Sequence, residues 1–137
     1  EALVNGAAED GLTIKVTTAY RPYSYQADLY NYYLAVKGEE WTKQYSAPPG
    51  TSEHQTGLCC DITDHYYEMK DASLENTEMY QWMSRHCDEY GFIVRFPKGK
   101  EDITGIIYEP WHYRFVGHEA ATDIYCSGLT LEQYLEK

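Results

Sequence analysis

The sequence is 137 residues long, which suits one domain able to bury a working core without several disulfides to hold it. Its 43% hydrophobic and 24% charged residues mark a globular chain and exclude a disordered one. A formal net charge of -11 excludes a protein that tracks nucleic-acid phosphates, which would need a basic face.

Thr13 to Tyr20 is rich in β-branched residues and alternates as a strand does, ending at Arg21-Pro22. Ser24 to Val36 predicts a helix with Leu29, Tyr32 or Tyr33, and Val36 on one face, closed by Gly38. Ala47-Pro48-Pro49-Gly50 is a rigid loop, and Leu58 to Thr63 has strand character, with Gly57 giving room for a tight backbone approach. Leu74 to Tyr90 carries Met79, Trp82, Met83, His86 and Tyr90 as a helical stripe that stops at Gly91. Phe92 to Phe96 and Ile103 to Tyr108 read as two strands, with Pro97-Lys98-Gly99-Lys100 turning between them. A third aromatic strand, Trp111 to Val116, ends at Gly117. Helices follow at His118 to Ser127 and at Leu131 to Leu135, where Thr130 and Gln133 have the spacing of a capping box. The order predicts an α+β fold, a small antiparallel sheet flanked by helices.

Four cysteines, Cys59, Cys60, Cys87 and Cys126, allow three full pairings, and the one joining the adjacent Cys59 and Cys60 would close a strained ring. A Cys87 to Cys126 bridge is open in an oxidising compartment, and so is a set of buried thiols acting as small hydrophobes. No Cys-x-x-Cys spacing is present, which argues against a structural zinc knuckle. Fifteen tyrosines suit a wet, aromatic-lined cleft as well as half-buried filler.

Two distant segments carry the chemistry, Ser52-Glu53-His54-Gln55-Thr56-Gly57-Leu58-Cys59-Cys60-Asp61 and Glu109-Pro110-Trp111-His112-Tyr113-Arg114. Together they offer His, Asp, His and a spare Glu: three protein ligands and a base, the components of a hydrolytic zinc site with a fourth position left for water. Gly57 lets the chain offer an imidazole from a loop and return a carboxylate from the next strand. Glu109 and His112 are three apart, and strand alternation alone would put them on opposite faces. Pro110, which cannot donate to a ladder, is the place where a strand start or bulge re-aims Glu109. His65, His86 and His118 have no partners at ligand spacing; His86 is expected in helix packing and the others on the surface, with Asp64 and Asp71 solvated.

This pattern resembles the zinc D-Ala-D-Ala carboxypeptidases and dipeptidases of the VanY type, whose signature is Ser-x-His-x-x-Gly-x-x-x-Asp followed later by Glu-x-Trp-His. The likeness runs from Tyr20-Arg21-Pro22, with Gln26 downstream, through the first ligand segment to Tyr90-Gly91-Phe92, Thr104-Gly105 and the run Glu109 to Gly117. It covers nearly all of the chain from Thr13 to Leu135. The resemblance implies His54, Asp61 and His112 as zinc ligands for one Zn2+ per chain, and Glu109 as the catalytic base. It makes Arg21 the residue that meets the substrate's charged or polarised oxygens, a task suited to a planar guanidinium. Gln26 and Ser52 match positions that hydrogen-bond the peptide. Trp111 and Tyr113 are candidates for the cleft wall, with a place in the core as the alternative. Cys59 departs from the family's usual alanine; it shares strand parity with Asp61, and we read it as a packing residue rather than a fourth ligand.

The implied reaction is zinc-dependent hydrolysis of the C-terminal D-Ala of peptidoglycan stem peptides or their precursors. An L,D-carboxypeptidase acting on tetrapeptide stems would use the same metal and base, and a zinc-containing wall-binding module without catalysis is the alternative from another class. The partners expected are the stem peptide or precursor and no nucleic acid, with the chain a monomer. Residues 1–137 read as a single catalytic domain acting outside the cytoplasm. No apolar run is long enough to cross a bilayer and no charged-then-apolar leader opens the chain. A start at Glu1-Ala2-Leu3 within a helix-like stretch leads us to expect an upstream signal or membrane anchor outside this sequence.

Overall fold

The structure is a computed structural model that describes residues 1–136. Its centre is a four-stranded sheet built from β1 (Ile14–Thr18), β2 (Cys59–Asp64), β3 (Phe92–Val94) and β4 (His112–Phe115), in the order β1-β2-β4-β3, with every neighbouring pair antiparallel. Seven helices surround it: α1 (Ala2–Glu9), α2 (Tyr23–Lys37), α3 (Glu39–Tyr45), α4 (Glu78–His86), the single turn α5 (Glu101–Thr104), α6 (His118–Ser127) and α7 (Leu131–Leu135). The α+β architecture with an antiparallel sheet is the one expected from the sequence.

Alternation along β2 and β4 sorts the sheet into two chemically different faces. Ile62 and Tyr113 are fully buried and belong to a core that also holds Leu3 and Ala7 of α1 and Met79, Trp82 and Met83 of α4. Burying a side chain of this size stabilises the fold by roughly 1.5–3 kcal/mol. The indole of Trp82 donates to Asp10 Oδ2 at 2.7 Å, which ties α4 to the end of α1. Cys59, Asp61, His112 and Arg114 take the other parity, and β2 and β4 are registered so that Asp61 lies directly opposite His112. The functional face is thus set by register: a slip of one residue would send Asp61 into the apolar core.

A second, smaller core of Ile93, Ala121 and Ile124, with Val116, Leu131 and Tyr134 against it, packs α6 and α7 onto the β3 side of the sheet. The capping box expected at α7 is present, Thr130 accepting from the Gln133 amide and the Gln133 side chain from the Thr130 amide. Gly91, at φ 80°, makes the turn into β3 so close to β4 that a Cβ there would meet the Phe115 ring at 2.7 Å.

Four sequence expectations differ from the fold. Ile103 to Tyr108 is not a strand: Glu101–Thr104 makes one helical turn that ends at Gly105, and β3 takes β4 as its partner in place of the expected hairpin. The stripe from Leu74 to Tyr90 is a 3-10 turn (Ala72–Asn76), then α4, then a second 3-10 turn (Cys87–Tyr90), because Thr77 is extended and caps α4 by accepting from the Tyr80 amide. Helix α3 has no counterpart in the sequence reading. The apolar face expected on α2 is not its buried one, since Tyr32 and Val36 are exposed and Gln26 is the buried side chain of that helix. All four cysteines are free thiols; Cys59 and Cys87 are buried and Cys126 is exposed.

Candidate metal centre

The first ligand segment enters as a 3-10 turn, Glu53–Thr56, and leaves through Gly57 in the left-handed conformation at φ 72°. That turn points His54 inward, to 5% exposure. Its Nδ1 meets the Ala19 carbonyl at 2.7 Å; a carbonyl only accepts, so Nδ1 carries the proton and Nε2 is left with a lone pair. The second segment is a turn from Glu109 to His112, closed by the His112 amide donating to the Glu109 carbonyl at 3.3 Å, and β4 begins at His112. Glu109 therefore precedes the strand and escapes its alternation, as Pro110 led us to expect.

Asp61 Oδ1 is 3.2 Å from His54 Nε2 and 3.0 Å from His112 Nδ1. The far nitrogen of His112, Nε2, lies 3.2 Å from Glu53 Oε2, so each ring nitrogen of this imidazole faces a carboxylate. With its proton on Nε2, His112 would turn a third electron pair toward the buried point that His54 Nε2 and Asp61 Oδ1 share. Three such pairs need either extra protons or one cation between them. Tetrahedral zinc bound at about 2.0–2.1 Å separates its nitrogen and oxygen donors by about 3.3 Å, so the donor types and the two spacings to Asp61 suit that ion. Asp61 Oδ2 accepts from Lys70 Nζ at 2.7 Å, which leaves Oδ1 as the inward oxygen.

The electrostatics describe the same need for positive charge. Burial would raise the Asp61 carboxyl, but His112, His54 and Lys70 hold it far below the carboxylate range. Burial would lower the His54 imidazole, but Asp61 and Cys59 push it up to about 9. At Glu109 burial outweighs the pull of His112, whose Nδ1 lies 3.9 Å from Oε2, and pushes the carboxyl up to about 7. It is a carboxylate poised to take and return a proton near neutrality.

His54, Asp61, Glu109 and His112 line one cleft of about 550 Å³, and Arg21, Gln26, Ser52 and Trp111 lie on the same cleft's walls. The Arg21 amide donates to the His54 carbonyl at 3.0 Å, and its Nη1 donates to Gln26 Oε1 at 2.5 Å. Gln26 spends its own amide on the Ala47 carbonyl at 2.7 Å, so this buried side chain orients Arg21. Tyr113 is the exception among the candidates; it is fully buried in the core and does not line the cleft. The thiol of Cys59 is buried in the cluster, in a group where its sulfur and the donor atoms of His54 and His112 all lie within 4.8 Å of one another. Burial would raise this thiol, but the two imidazoles hold it below its ordinary value.

The sequence reading missed Lys70, which holds Asp61, and the ionic cluster of Glu53, Arg95 and Arg114 behind His112. Glu53 had one available signal, its place beside His54 in the ligand segment. Arg114 had one too, its strand parity with His112, whereas Lys70 and Arg95 lie outside both segments and join the site only when the sheet forms. Asp64 and Asp71 lie outside the site; each accepts a backbone amide in a local turn. His86 stacks on Trp82 at 5.0 Å, in helix packing as expected.

A family model described as VanY, D-alanyl-D-alanine carboxypeptidase, matches residues 1–118. A D-alanyl-D-alanine carboxypeptidase of Enterococcus faecalis (strain ATCC 700802 / V583) is 37% identical over 142 residues, covering 97% of this chain and 51% of that protein. The LdcB LD-carboxypeptidase, whose structure addresses peptidoglycan recognition, superposes with a TM-score of 0.92 at 39% identity over 99% of this chain and 64% of its own. The vancomycin resistance D,D-pentapeptidase VanY of a VanB-type cassette, solved as a mutant with Zn(II), superposes with a TM-score of 0.83 at 38% identity over 98% of this chain and 78% of its own. The chain spans about half the length of the first curated relatives it matches. With its sequence, its fold and its buried His-Asp-His cluster in agreement, the chain belongs to the VanY D-alanyl-D-alanine carboxypeptidase family.

Proposed function

We propose that this chain is a zinc carboxypeptidase that removes the C-terminal D-Ala from peptidoglycan stem peptides outside the cytoplasm. The observation that carries the reading is the pair of contacts from Asp61 Oδ1 to His54 Nε2 and His112 Nδ1, at 3.2 and 3.0 Å, beside the half-buried carboxylate of Glu109, whose Oε2 lies 3.9 Å from His112 Nδ1. His54, Asp61 and His112 would hold the zinc. Bound there, the metal supplies Lewis acidity toward the scissile carbonyl and toward water. Glu109 takes the water's proton and returns it to the departing amine, with a carboxyl whose pKa burial has moved toward the working range. Arg21, aimed by Gln26, offers its free guanidinium edge to the substrate's terminal carboxylate or to the developing oxyanion. Ser52 and Trp111 contribute cleft wall.

A second reading, L,D-cleavage of tetrapeptide stems, is favoured by the TM-score of 0.92 to an LD-carboxypeptidase. Mass spectrometry of products from pentapeptide and tetrapeptide stems separates the two. Release of one D-Ala from the pentapeptide is the expected result. Cleavage confined to the tetrapeptide would establish the L,D reading, and no cleavage of either by the zinc-loaded chain would leave a binding module.

A further inference from the structure

We infer that Glu53 is the positioning residue for His112 and that helix α7, through Glu132 and Arg95, tunes how tightly the metal is held. The inference rests on the zinc site proposed above, and it concerns residues outside the ligand set. Glu53 Oε2 faces His112 Nε2 at 3.2 Å, while its Oε1 accepts from Arg95 Nε at 2.7 Å and from Arg114 Nη1 at 3.0 Å. Arg95 turns the rest of its fork to α7, with Nη2 on Glu132 Oε1 at 2.6 Å and Nη1 on Glu132 Oε2 at 3.2 Å. The two carboxylates thus occupy the whole guanidinium, whose side chain is only 11% exposed.

The cluster has two negative and two positive members, so the Glu53 carboxylate is matched in charge by the two guanidiniums that hold its Oε1. With Nδ1 given to the metal proposed above, the ring keeps one proton, on Nε2, where the Glu53 carboxylate accepts it. Arg95 also supports the imidazole from its face. Its guanidinium lies 4.7 Å from the centre of the Phe96 ring, and that ring stacks on His112 at 5.1 Å with planes 28° apart. One arginine therefore anchors both the edge contact and the face contact of a metal ligand. Its outer anchor sits just inside α7, whose first turn is fixed by the buried cap Thr130. The family match ends at residue 118, so Glu132 lies beyond the region shared with the family model.

The test measures zinc affinity rather than turnover. Zinc dissociation constants are obtained by competition with a fluorescent chelator for the wild-type chain, Glu53→Gln and Glu132→Gln, alongside thermal melts of the metal-free proteins. Nitrogen-15 spectra of the zinc-loaded chains report how fast the His112 Nε2 proton exchanges with water. Glu53→Gln should weaken zinc binding by roughly 10–100-fold, the usual effect of losing a carboxylate that orients a metal-ligating histidine. Glu132→Gln, one residue further out, should weaken it by a smaller factor of at least about twofold, and both should melt near wild type. The His112 Nε2 proton should exchange slowly with water in wild type, where Glu53 accepts it, and faster in Glu53→Gln. Wild-type zinc affinity in Glu53→Gln, or a lower melting temperature with unchanged affinity, would overturn the positioning role. If Glu53→Gln does not fold, Glu132→Gln decides, since unchanged affinity there removes α7 from the relay. A wild-type chain that binds no zinc would overturn the functional reading itself, an outcome distinct from variants that merely match wild type.

Discussion

The hydroxyl of Tyr113, fully buried beneath the sheet, donates to the carbonyl of Pro110 at 2.9 Å. The bond spans the turn that aims Glu109 into the cleft, so a core side chain on one face of β4 fixes a catalytic candidate on the other. Tyr113→Phe keeps the ring and strips the donor from a buried carbonyl, a change that costs about 1–3 kcal/mol. We expect a lower urea midpoint, a reduced kcat and wild-type zinc content, because His112 keeps its strand pairing with Asp61. Unchanged turnover in a destabilised variant would separate the turn from catalysis.

His54→Ala, Asp61→Ala and His112→Ala should each lose zinc on dialysis against a weak chelator, as each removes one of three converging donors. Metal content by elemental analysis is the readout. Full zinc in all three variants would refute the ligand set.

Glu109→Gln should retain zinc and lose turnover on the order of a hundredfold to ten-thousandfold, since the carboxamide keeps the shape but cannot accept a proton. Because burial raises this carboxyl, wild-type activity should fall on the acid side as the group protonates. A variant with the wild-type rate would put the base elsewhere.

The candidate ligands were legible in the sequence, whereas the residues packed behind them were not, and the difference has a physical origin. His54, Asp61 and Glu109 to His112 sit in two compact segments whose spacing is itself the signal. Glu53, Arg95 and Glu132 come from a turn, the end of β3 and α7, and they become one cluster only when the register Ile93 to Arg114 and the packing of α6 and α7 are formed. Nothing local distinguishes Arg95 from a solvated arginine. The missed helix α3 is of the same kind, since Glu39–Tyr45 lacks a continuous apolar stripe and gains its place by packing against α2, with Trp41 and Tyr33 rings 5.2 Å apart. Ile103 to Tyr108 misled in the opposite sense, being β-branched and aromatic yet bent by Gly105 at φ 71°.

Arg21→Lys should be poorly tolerated although the charge is kept. Gln26 holds one guanidinium nitrogen and leaves a fork that a point-like ammonium cannot reproduce. A substrate with an amidated C-terminus assigns its partner. If Arg21 grips the terminal carboxylate, amidation should raise KM strongly for wild type and little for the variant. Equal losses in both would point to the scissile carbonyl instead.

Cys59→Ala is the sharpest test of how the metal is held, because the thiol shares a buried cluster with His54 and His112. Three considerations set the expected outcome. Asp61 already supplies a hard donor 3.0–3.2 Å from both imidazole nitrogens, and Lys70 holds that carboxylate in place from its outer oxygen. Cys59 is 4% exposed and is not part of the cleft wall, so shortening it leaves that wall unchanged. Alanine at this position also leaves the β2 to β4 pairing of residue 59 with Arg114 intact, since that pairing is made by the backbone. The variant should therefore keep its zinc and most of its activity, with at most a small loss of stability from the missing sulfur. Zinc-edge X-ray absorption on the wild-type chain checks the point independently, because a sulfur ligand near 2.3 Å is resolved from nitrogen and oxygen at about 2.0–2.2 Å. We expect no sulfur shell. A sulfur shell in wild type, together with weaker zinc retention in Cys59→Ala, would make the thiolate a ligand and require the donor set to be redrawn around His54, Cys59 and His112.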